Sequence, residues 1–71
     1  MLIRQVIIRK TVCNKKQLDS LYNILNFDDI KLNGYIIAKC NLNAKISDIR
    51  KQIKELFDCN YEDINFKYEE R

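Results

Sequence analysis

The spacing of apolar residues changes several times along this chain, and each change marks an element. Leu2 to Val12 is rich in β-branched residues, holds Val6-Ile7-Ile8 at its centre and lacks proline and glycine, so it reads as a strand. Its apolar positions fall on both faces, Val6 and Ile8 on one, Ile3 and Ile7 on the other. That is the pattern of a strand central in its sheet, or of one whose second face is covered. The period then lengthens. Leu18, Leu21, Tyr22 and Leu25 recur at i, i+3, i+4 and i+7, which predicts an amphipathic helix. Asn14 can cap its start, with Gln17 reaching back as in a capping box. Asn26 suits the left-handed position that ends a helix.

Phe27 to Leu32 reads as a short second strand, with Ile30 and Leu32 alternating against Asp29 and Lys31. Asn33-Gly34 predicts a type I′ hairpin turn, which needs positive φ at both central residues. The returning strand, Tyr35 to Leu42, places Ile36, Ala38, Cys40 and Leu42 at period two. A second helix follows from Ile46, Ile49, Ile53, Leu56 and Phe57. Ser47 is its expected cap, and Asp48 lies in the first turn, where the helix dipole favours an anion. The helix ends near Asp58, with Asn60 able to take the left-handed position. Asp63 to Glu69 is the last strand, with Ile64, Phe66 and Tyr68 alternating against Asn65, Lys67 and Glu69.

This order predicts an α+β fold, a ferredoxin-like β-α-β-β-α-β sandwich with a four-stranded antiparallel sheet and two helices on one face. Strands one and three are central in that arrangement. A β-grasp would need an irregular first helix, against which the Leu18–Leu25 stripe argues. With 71 residues the chain, 1–71, reads as one small α+β domain.

Strand parity extends the reading to a surface. If Val6, Ile8, Ile36, Ala38 and Ile64 face the helices, the uncovered face carries Ile3, Ile7, Tyr35 and Ile37. Arg9, Lys31, Lys39 and Lys67 rim it. An apolar centre with a polar rim is the anatomy of a binding surface.

Composition removes other functions more than it adds any. There is no histidine, so the commonest general base is missing. The acid pairs Asp28-Asp29 and Glu69-Glu70 are sequence neighbours, which point apart in extended chain. Cys13 precedes a helix start that could lower its pKa, yet no histidine can activate it. Three cysteines without close spacing make neither a disulfide framework nor a zinc site, and no apolar run is long enough to span a membrane. The expected setting is cytoplasmic, without cofactor or metal. Gly34 is the sole glycine, so no glycine-rich phosphate loop exists. Neither the paired-cysteine motif of ferredoxin-like metal-transport domains nor the glycine-flanked anion loop of acylphosphatases occurs in Thr11-Val12-Cys13-Asn14. Asn33 to Cys40 keeps the glycine and first aromatic of the RNA-recognition motif but has Ile37 and Cys40 at its later aromatic positions, so that family is not assigned. Net charge is +3, a mild bias. Ile, Lys and Asn dominate and have A/T-rich codons, which points to an AT-rich genome and weakens any functional reading of the lysines.

The expectation is therefore a non-enzymatic protein-interaction module, of the inhibitor, adaptor or subunit kind that phages and plasmids encode. It binds a protein partner through the open sheet face. The alternative is a single-stranded nucleic-acid binder using the same face and its basic rim, with Tyr35 as a stacking platform. A weak homodimer through Ile3, Ile7, Tyr35 and Ile37 is a further expectation, since small domains often gain stability by association.

Overall fold

The computed structural model describes residues 1–9 and 13–70. In chain order it contains β1 (Leu2–Ile8), α1 (Lys15–Leu25), β2 (Asp29–Leu32), β3 (Ile36–Asn43), α2 (Ile46–Phe57), a single 3-10 turn (Tyr61–Asp63) and β4 (Ile64–Glu69). The class is α+β, as the periodicity predicts: a four-stranded antiparallel sheet with two helices. The strand order is β2-β3-β1-β4, and every neighbouring pair is antiparallel. The two-faced apolar strand β1 is thus central, paired with β3 on one side and β4 on the other. Its expected extension to Val12 ends at Ile8, and residues 10–12 lie outside the described residues.

The chain ends of α1 follow the side chains named for them. Asn14 Oδ1 accepts from the Gln17 amide at 2.7 Å, and Gln17 Oε1 accepts from the Asn14 amide at 3.1 Å, a complete capping box. Asn26 closes the helix at φ 50°, its amide donating to the Tyr22 carbonyl. The second helix differs. It begins at Ile46, not after Ser47, and its N-cap is Lys45, whose side chain makes no capping bond. Packing outweighs capping here, because Ile46 is drawn against the core. At the other end Asp58 itself takes the left-handed conformation, at φ 51°, while Asn60 starts the 3-10 turn with a capping box to Asp63.

The hairpin between β2 and β3 is not type I′. Gly34 has φ 76°, but Asn33 is not in the left-handed region. Leu32 pairs with Ile36, so three residues make the turn, and the Asn33 amide donates to the Tyr35 carbonyl at 3.1 Å. One positive-φ residue suffices in the longer loop.

The core lies between the sheet and the helices. Leu21 and Leu25 of α1 and Ile49, Ile53 and Phe57 of α2 share one buried cluster with Ile3, Val6, Ile8, Ile36, Ala38, Cys40 and Ile64. Each fully buried aliphatic side chain contributes about 1.5–3 kcal/mol. No polar side chain is buried among the described residues, so packing alone specifies the interior. Tyr22, expected on the apolar stripe, is half-exposed and meets Phe27 edge-on at 5.1 Å. Among the described residues no helix is long and apolar enough to cross a membrane.

Candidate interaction face

The sheet has a second face, and its composition follows from register. On β3, Ile36, Ala38 and Cys40 point at the helices, so Ile37, Lys39 and Asn41 point away. Ile37 lies between Lys31 of β2 and Ile7 of β1, and Ile7 lies beside Asn65 of β4. The next row across the sheet is Asp29, Lys39, Gln5 and Lys67. Ile7 and Ile37 are directly opposed on adjacent strands, where side chains approach closely enough to shield one another. Both are partly buried, and neither belongs to the hydrophobics packed on the core. Their shelter comes from each other and from neighbours on the open face.

Of the residues predicted for this face, Ile7, Lys31, Ile37, Lys39 and Lys67 are brought together in those two rows. Tyr35 is half-exposed in the hairpin turn at one end. Arg9 is exposed just past β1, where its amide donates to the Asp63 carbonyl at 2.9 Å. Ile3 is not on the face. It is 0% exposed and sits in the core. The reason is a register slip in β1 between Ile3 and Gln5, seen against both β3 and β4. Unbroken alternation from Val6 and Ile8 would turn Ile3 outward. The slip places two successive residues, Arg4 and Gln5, on the open side and returns Ile3 to the helices, as β-bulges do.

Arg4 is therefore a member of the face that alternation hides. Its Nη1 donates to Asn41 Oδ1 at 2.8 Å, and its Nε lies 3.9 Å from Glu69 Oε1. Both members of that ion pair are largely solvated, so the pair adds at most about 1 kcal/mol. The slip also has an inward consequence. The Cys40 thiol donates to the Ile3 carbonyl at 3.5 Å. Burial, with a smaller contribution from the Asp28 charge, pushes the Cys40 thiol above its ordinary pKa. Cys40 thus behaves as a small buried hydrophobe and weak donor, not as a thiolate.

With Arg4 in place of Ile3, the face becomes more cationic and less apolar. Arg9, Lys31, Lys39 and Lys67 surround one isoleucine pair; Asp29 is the carboxylate in the same rows, and Glu69 lies beyond them opposite Leu2. Among the described residues no group of three or more His, Cys, Asp or Glu side chains could hold a metal ion. No family model, curated protein or solved structure matches this chain.

Proposed function

We propose that the domain is a ferredoxin-like sandwich acting as a non-enzymatic protein-interaction module in the cytoplasm. Its open sheet face binds a partner that presents an apolar patch flanked by carboxylates. The β-α-β-β-α-β order with β1 and β3 central supports the fold reading. The observation that carries the functional reading is the opposed Ile7–Ile37 pair, uncovered by either helix and ringed by cations. Interfaces of this build place apolar contact at the centre and charge at the rim, where charge steers encounter and selects partners. A second copy of the chain is the poorer occupant. A two-fold stack would face Lys39 and Lys67 with their own copies, and the burial of Ile3 removes a quarter of the apolar set on which self-association rests.

A single-stranded nucleic acid is the second reading, favoured by the excess of cations on the face. Base–aromatic stacking, worth about 1–3 kcal/mol per base, dominates such binding. Here the central positions are Ile7 and Ile37, and the one aromatic, Tyr35, stands at the rim. Capture of partners from a nuclease-treated host extract, with wild type beside Ile37→Lys and Lys39→Glu, separates the readings. A protein retained after nuclease and lost with either substitution is the expected result. Binding to an oligonucleotide that weakens steeply between low and moderate salt would replace this reading by the second.

A further inference from the structure

The sheet has a free edge at β4, and a groove runs beside it. The strand order leaves β4 without a neighbour beyond β1, so alternate backbone N–H and C=O groups of Ile64–Glu69 are directed outward. Between this edge and the first turn of α2 lies an open groove of about 600 Å3. Ile46 and Phe66 are its apolar lining, with Lys45, Ser47, Arg50 and Tyr68 around them, and among the described residues no carboxylate side chain lines it.

Three features of the groove point to the same ligand charge. Arg50 lays its guanidinium over the Phe66 ring, 5.2 Å from the centroid, and its Nε is buried with no acceptor among the described residues. A buried donor on a cation without an acceptor is costly to leave unmade. Lys45 adds a second cation at the same rim. The N-cap of α2 is Lys45, whose ammonium has no acceptor to offer, so the opening amides of the helix donate to no N-cap side chain and can donate to a ligand oxygen. Three β4 residues, Asn65, Phe66 and Tyr68, line the groove, and β4 is an edge strand, which suits strand addition: backbone bonds hold the ligand, and alternate side chains enter the groove.

We propose that this groove is a second binding site, separate from the open face, and that it takes an extended peptide segment bearing a carboxylate. The peptide backbone pairs with the β4 edge, and its acidic side chain meets Arg50 and Lys45 over Phe66.

The test uses the full chain, isotope-labelled, and an acetylated, amidated pentapeptide alternating valine and glutamate. Its partner probe has glutamine at the glutamate positions. The expected result is saturable shifts at the amides of Ser47, Arg50, Phe66 and Tyr68, slowed hydrogen exchange at alternate β4 amides, and at least tenfold weaker binding of the glutamine peptide. Arg50→Gln should weaken the glutamate peptide by a similar factor. Lys45→Gln, at an exposed position that leaves the core untouched, should weaken it severalfold even if Arg50→Gln unfolds. Equal affinity for the two peptides, or shifts confined to Ile7, Ile37 and Lys39, overturns the proposal. So does inorganic phosphate that reproduces all the shifts without slowing β4 exchange, because the site would then read a lone anion.

Discussion

Replacing Ile3 by alanine is the sharpest test of the register slip, because it pits two adjacent faces of one strand against each other. Ile3 is fully buried, so Ile3→Ala removes apolar atoms and leaves a cavity beside Leu42 and Tyr68, its partners in the sheet. Buried aliphatic-to-alanine changes of this kind cost about 2–5 kcal/mol. A domain of 71 residues holds roughly 4–11 kcal/mol in total, at about 0.05–0.15 kcal/mol per residue. The loss is thus a large share of the whole. Ile7→Ala acts on the open face, where water fills the space and no cavity forms. Only the transfer of a partly buried side chain is lost, about 1 kcal/mol. Arg4→Ala, at a side chain half in solvent, should stay within about 0.5 kcal/mol. Urea unfolding followed by far-UV circular dichroism measures all three. With a slope near 1 kcal/mol per molar for a chain this small, Ile3→Ala should lower the midpoint by about 2 M or more, and Ile7→Ala by about 1 M. If Ile3→Ala cost no more than Ile7→Ala, both would lie on one face, and the slip and the burial argued from it would be wrong.

Other outcomes follow from single interactions. Asn14→Ala removes the acceptor of the Gln17 amide and should cost about 0.5–2 kcal/mol in the same assay, whereas Asn14→Ser should retain most of that stability. Gly34→Ala meets no atom within 4 Å, so its cost is purely that of holding an L-residue at φ 76°, about 1 kcal/mol, and Gly34→Asn should cost less. The Cys40 thiol has a folded-state pKa above its unfolded one, so the folded state holds its proton more tightly. That stability is fully present below about pH 8.5, the thiol's ordinary pKa, and is lost as pH rises through the raised value. Alkaline unfolding of wild type should therefore be steeper than that of Cys40→Ala. Alkylation at neutral pH should label Cys13, which is partly exposed, well before Cys40.

Much of the fold was legible because local signals and packing agree. The α1 helix, its Asn14–Gln17 box and its Asn26 terminus all survive folding, since each is set by residues within a few positions of one another, although of the predicted stripe only Leu21 and Leu25 are buried. Where a local preference competes with burial, burial wins. Ser47 is the better cap by propensity, but starting α2 at Ile46 seats that side chain against the core, and Lys45 becomes an uncapped N-cap. Asn33-Gly34 favours a two-residue turn, yet the Leu32–Ile36 pairing sets a three-residue one. Sequence reasoning could name the turn and the helix but not their registers, because register is decided by contacts between distant segments.

The candidate face shows the same division, with a functional consequence. Its β3 half was readable, because Ile36, Ala38 and Cys40 alternate without interruption and fix where Ile37 and Lys39 point. Its β1 half was not, because alternation presumes an unbroken pleat and nothing in Leu2-Ile3-Arg4-Gln5-Val6 marks the slip. Unbroken alternation with Val6 and Ile8 inward would turn Arg4 toward the helices, and with Ile3 and Ile7 inward would bury Gln5; the slip turns both polar residues away and lets Ile3 and Val6 share a face three residues apart. The cost of burying an unpaired guanidinium, several kcal/mol even after relaxation, far exceeds the disturbance of one ladder position. That comparison accounts for the slip once the registers against β3 and β4 are known, although no residue of the segment signals it. The slip also changes the composition of the face. Exchanging Ile3 for Arg4 shrinks the apolar centre to the Ile7–Ile37 pair and adds a cation, which under the function proposed above favours an acidic partner over a second copy.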